Sequence, residues 1–116
     1  MCELEQAIER FLAELAREGS SPHSLRAYAG DLRQFQEFLS PPEMAPPAPA
    51  EIDLLTLREW MLWLYRQHLS AVSIRRKLAA VRGLFRYLDR EGVVTANWAR
   101  LLRTPKAPQR QQPDGR

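Results

Sequence analysis

Apolar residues recur at helical spacing along most of the chain. Over residues 3–18, Leu4, Ile8, Phe11, Leu12 and Leu15 form one stripe, and Gly19 follows as a C-terminal stop. Ser21-Pro22 reads as an N-cap with proline at the first helical position. The helix it opens runs to about Leu39, with Leu25, Tyr28, Leu32, Phe35 and Leu39 turned inward, and Ser40-Pro41-Pro42 ends it. The stretch 40–50 is proline-rich and predicts a stiff extended connection within one bundle. Thr56 and Glu59 match a capping box, which predicts a third helix from there to about Gln67. Ser70 can cap a fourth helix over about 71–90, ending near Gly92, and Thr95 or Asn97 can start a short fifth through Leu102. No alternating strand pattern of useful length and no internal repeat is apparent. The expected fold is therefore all-α, a four-to-five-helix bundle occupying residues 1–102. The polar residues 103–116, rich in proline, are expected to be a linker.

With 116 residues, 45% of them hydrophobic, the chain can build one core without staples. Its single cysteine, Cys2, rules out an internal disulfide. No apolar run approaches a membrane span, and the N-terminus lacks a secretory signal, so a cytoplasmic protein without a membrane partner is expected.

Charge sharpens the picture. Residues 1–59 hold 5 basic against 11 acidic side chains, and residues 60–116 hold 12 against 3. Such asymmetry suggests that one half meets a polyanion. On a helical wheel of the fourth helix, Ile74, Leu78, Val81, Leu84, Phe85 and Leu88 share an apolar arc. Arg75, Arg76, Arg82, Arg86 and Arg90 lie opposite, with the small Ala79 and Gly83 between them to allow close approach to a surface. No acidic residue occurs between Glu59 and Asp89, so the sequence neighbours leave this face uncompensated, unlike an ordinary soluble face with both signs. The second helix repeats the pattern more faintly, with Arg26, Arg33, Ala27, Gly30 and Gln34 outward. Ser24 sits in its first turn, where a hydroxyl and free amides can meet a phosphate. Two such helices suit insertion into the grooves of double-stranded DNA.

Catalytic signals are absent. His23 and His68 have no metal-ligand spacing, there is no phosphate-binding glycine loop, and Ser20, Ser21 and Ser24 form no nucleophile elbow. No cofactor, metal or small-molecule substrate is expected. Trp60, Trp63 and Tyr65 offer a stacking surface for single strands, but packing against other helices is the favoured reading.

Phe11-Leu12, the run Ser24-Leu25-Arg26-Ala27-Tyr28-Ala29-Gly30-Asp31-Leu32, Phe38-Leu39, the run from Ser73 to Leu88, and Pro105-Lys106-Ala107-Pro108 resemble the opening of tyrosine recombinases, the phage integrase family, and within it the XerC- and XerD-like branch. The resemblance covers about residues 4–110. It implies a SAM-like core-binding domain that grips one face of a duplex recombination half-site, beside a paired recombinase protomer, in DNA recombination or integration. Carried over motif by motif, it places Ser24, Arg26, Ala27 and Gly30 on one reading helix and Ser73, Arg76, Lys77 and Ala80 on the other. The wheel adds Arg33, Arg75, Arg82 and Arg86, and sets Lys77 near the core edge. The family's catalytic Arg, Lys, His and Tyr belong to a second domain after the Pro-Lys-x-Pro segment, so this stretch by itself is expected to bind rather than catalyse. Trp98 stands where the family often has proline after Asn97, which leaves the fifth helix open. The alternatives are a helical protein-interaction module, using the acidic first helix and the tryptophans of the third, and a stand-alone DNA-binding regulator.

Overall fold

The computed structural model describes residues 2–103. Four α-helices and two short 3-10 turns make up its regular structure. The expected linker lies, from Thr104 onward, outside the described residues.

Helix α1 spans Glu3–Arg17. The Cys2 thiol caps it, accepting from the Glu5 amide at 3.4 Å, while Glu3 and Glu5 in the first turn and Arg17 in the last complement the helix dipole. Leu4, Ala7, Ile8 and Phe11 are its buried stripe. It stops where Gly19 adopts φ 98°, letting the Ser20 and Gly19 amides close back on Leu15 and Ala16.

Helix α2 runs over Pro22–Leu39 behind the Ser21 cap. Asp31, Leu32, Phe35 and Leu39 are buried along it, and Leu25 and Tyr28 are half-buried. The proline-rich connection includes a 3-10 turn at Pro49–Glu51, where the Ala48 amide donates to the Glu51 carboxylate at 2.9 Å.

Helix α3 spans Leu54–Arg66, beginning before the expected Thr56. Asp53, not Thr56, is its N-cap: the Thr56 amide donates to Asp53 Oδ1 at 2.9 Å. Glu59 therefore stands exposed inside the helix instead of closing a capping box. Helix α4 occupies Ala71–Arg90 behind Ser70, and Gly92 at φ 75° follows its end. The expected fifth helix is a single 3-10 turn, Trp98–Leu101, packed against α3 and α4.

α1, α2 and α4 pack on one another, and aromatic rings tie α2 to α3. Phe35 lies at the centre, edge-on to Trp60 at 5.1 Å and to Phe85 at 6.5 Å. Around it Leu32, Leu57, Leu64, Leu78, Val81, Leu84 and Leu88 are fully buried. Trp60 is a core residue and Trp63 leans on Phe38 at 5.4 Å, so packing claims two of the three aromatics on α3. No helix of the described residues is long and apolar enough to cross a membrane.

Candidate nucleic-acid interface

The core stripes fix which side chains of α2 and α4 must face outward. On α2, Ser24, Arg26, Gly30 and Arg33 are exposed and Ala27 is half-buried. On α4, Arg75, Arg76, Ala79 and Arg86 are exposed, and Arg82 and Ser73 are half-buried. Arg26, Arg33, Arg75, Arg82 and Arg86 have no carboxylate partner among the described residues. Their charges are thus unpaired among the described residues, although Glu14 and Glu18 line the groove beside Arg82 and Arg86.

Aligned on their capping serines, the two helices share a correspondence that is faint in the sequence. Ser21, Ser24, Arg26, Gly30, Leu32 and Arg33 of α2 match Ser70, Ser73, Arg75, Ala79, Val81 and Arg82 of α4 in register. The Ser21 hydroxyl accepts from the Ser24 amide, and the Ser70 hydroxyl from the Ser73 amide, each at 3.1 Å. The signal escapes a search for repeats because identity is confined to the cap serines, two arginines and the closing Leu39/Leu88 pair, while the other matched core positions merely stay apolar. Those cap bonds also correct the expectation for Ser24: its amide is already used within the helix, so only its hydroxyl and the neighbouring surface remain for a partner.

Other expectations change as well. Ala80 is fully buried against the core and cannot touch a partner. Lys77 is buried too, its Nζ donating to Asp31 Oδ1 at 2.9 Å. Arg76 donates through Nε to Asp31 Oδ2 at 2.8 Å and through Nη2 to Oδ1 at 2.9 Å. The absence of acids near Arg76 along α4 was therefore misleading, because the counter-charge comes from α2. Burial would raise the Asp31 carboxyl, but the hydrogen bonds and charges of Arg76 and Lys77 outweigh it and hold the group below the ordinary aspartate value. The same bonds keep the Arg76 guanidinium charged above its usual range. Asp31 lies inside the family-like motif Ser24–Leu32. Its only sequence signal is an acid one position before the core residue Leu32.

Gly83 has an internal reason to be small: a Cβ there would lie 3.0 Å from Phe11 Cζ, so it admits α1 and not an outside surface. At Gly30 an added Cβ would meet nothing within 4 Å. Arg90 is partly spoken for, lying 3.4 Å from Glu14 and 3.8 Å from Glu91, with its guanidinium 5.5 Å from the Tyr87 ring centre. Arg82, Arg86 and Arg90 border a groove of about 510 Å³ whose floor includes Phe11, Leu15, Tyr28 and Tyr87.

The family model for the phage integrase N-terminal SAM-like domain matches residues 8–92. The chain belongs to that family. Among curated relatives of this phage integrase domain, it is similar to a tyrosine recombinase XerC of Pelobacter propionicus, 44% identical over 109 residues that make up 92% of this chain and 35% of the relative. A tyrosine recombinase XerC of Pseudomonas fluorescens is 36% identical over 108 residues, covering 92% of this chain and 36% of its own length. That of Methylobacterium nodulans is 37% identical over 111 residues, 93% of this chain and 34% of the relative. The chain thus spans about a third of the length of these relatives. No solved structure gives a significant match. The all-helical architecture, without strands among the described residues, agrees with the SAM-like helical domain.

Proposed function

We propose that this phage integrase N-terminal domain grips duplex DNA for a site-specific tyrosine recombinase, presenting α2 and α4 to one face of a recombination half-site. The observation that carries the reading is the set of guanidinium groups without a carboxylate partner among the described residues, with Arg26 and Arg33 of one capped helix matched in register by Arg75 and Arg82 of the other, and Arg86 one turn beyond. A packed core holds these helices, so their outward faces are preorganised. Arg forks suit both phosphate and guanine. Residues 1–102 form the gripping unit, and residues 103–116 serve as a linker toward a catalytic domain. A paired protomer on the adjoining half-site, and a cytoplasmic setting where DNA is accessible, belong to the same proposal.

Fluorescence anisotropy with a labelled 30-base-pair duplex tests it. The 116-residue chain is expected to bind, and an Arg75→Ala/Arg82→Ala/Arg86→Ala variant to lose binding while keeping its helical circular dichroism and melting temperature. Equal binding by both proteins contradicts the reading.

The protein-interaction alternative draws on a different surface. Leu55, Leu62 and Tyr65 are exposed on α3, and Leu101 lies near Tyr65 across an open groove. Absence of duplex binding by the unaltered chain would favour it.

A further inference from the structure

Arg76 differs from Arg26, Arg33, Arg75, Arg82 and Arg86 in being held. Its guanidinium meets Asp31 through Nε and Nη2, along the side-on edge of the fork. A guanidinium carries five N–H groups in one plane. Two are spent on Asp31. The end-on edge, formed by Nη1 and the second hydrogen of Nη2, has no protein acceptor among the described residues. The side chain remains 45% exposed while its carboxylate partner is 3% exposed. The anchor is therefore inside and the free edge reaches solvent. Lys77 fixes the anchor in turn, because its Nζ shares Asp31 Oδ1 with Arg76 Nη2. One carboxylate thus faces two cations, and the cluster keeps a net positive charge.

We propose that Asp31 is a positioning residue: it aims the free end-on edge of Arg76 at a pair of acceptors on bound DNA. This rests on the DNA-gripping reading above. A floppy arginine loses rotamer freedom on binding, which costs affinity. Arg76 has already been ordered by folding. It also enters the encounter with one edge satisfied and one edge open, which suits a bidentate partner and disfavours a single acceptor. Guanine O6 and N7 form such a pair, and so do two oxygens of one phosphate. Arg75, with the same charge one residue away and no acidic partner among the described residues, serves as the unpositioned comparison.

The test is a double-mutant cycle. A duplex is first selected from a random 24-base-pair pool with the unaltered 116-residue chain. Its affinity is then measured for the unaltered chain, Asp31→Asn, Arg76→Ala and the double variant, with thermal melts to scale each value to folded protein. Asp31→Asn is expected to weaken binding about tenfold in the normal background and by less than twofold when Arg76 is already alanine. It should have the same effect in an Arg75→Ala background as in the normal one. Asp31→Glu keeps the charge but displaces the anchor, and is expected to weaken binding by an intermediate factor; it carries the test if Asp31→Asn does not fold. Replacement of single guanines by 7-deazaguanine separates the two acceptor sources. If guanine is read, one such replacement abolishes the Asp31 effect; if a phosphate is held, only a methylphosphonate at one position does so. Equal Asp31→Asn losses with and without Arg76, or no loss in folded protein, overturn the inference alone. Failure of the unaltered chain to enrich or bind any duplex overturns the DNA reading and this inference with it.

Discussion

Asp31 takes three hydrogen bonds from two cations in a setting where it is 3% exposed. Removing its carboxylate strands the Lys77 ammonium without a partner inside the bundle, so Asp31→Ala is expected to cost about 3–5 kcal/mol in urea melts. The pH dependence follows from the direction of the Asp31 shift. A carboxyl held below its ordinary value stabilises the folded state above the unfolded aspartate pKa, about 3.9, and that contribution disappears as pH falls through the lower, folded value. The stability gap between the unaltered chain and Asp31→Asn should be constant from pH 8 to about 5 and narrow below about 4. Glycines give a second test at this scale. Gly30→Ala adds helix propensity with nothing in the way and is expected to gain about 0.5–1 kcal/mol. At Gly83 the same change presses a methyl on the Phe11 ring, so thermal melts should show the gain at Gly30 and none at Gly83.

At the scale of elements, each long helix begins at a side-chain cap: Cys2, Ser21, Asp53 and Ser70. Asp53 accepts from the Thr56 amide, which holds its carboxyl below the ordinary value. Asp53→Ala is therefore expected to lower the melting temperature at neutral pH, and Glu59→Ala to leave it unchanged; a loss at Glu59 would restore the capping box. Helix bounds were largely legible in the sequence because Gly19, Ser21-Pro22, Ser70 and Gly92 act locally, through φ and single hydrogen bonds. The start of α3 was less so, since Asp53 and Thr56 both make good caps and only the chain's path from the preceding 3-10 turn decides between them. The arginine face of α4 was legible because a wheel sees one helix. Asp31, Phe11 and Glu14 were not, because they reach that helix from its neighbours: Asp31 anchors Arg76, Phe11 fills the notch at Gly83, and Glu14 offsets Arg90. Ala80 and Lys77 were placed on the reading face by the resemblance alone; the wheel set Lys77 near the core edge, and packing buries both.

For the molecule as a whole, folding separates two charge populations. The first helix carries most of its charge as glutamates, while Arg26, Arg33, Arg75, Arg82 and Arg86 stand on α2 and α4. A polyanion approaching these two helices meets fixed positive charge, and one approaching α1 meets repulsion. Association with duplex DNA should then release counterions in proportion to the phosphates neutralised. The most direct measurement is the salt dependence of duplex affinity for the 116-residue chain, for Arg86→Ala and for Arg90→Ala. With about five engaged arginines, log affinity against log salt is expected to fall with a slope of about −4 to −5. Arg86→Ala should make it shallower by about 1, and Arg90→Ala, already offset by Glu14, by less. A slope near zero, or one that neither substitution changes, would contradict the account.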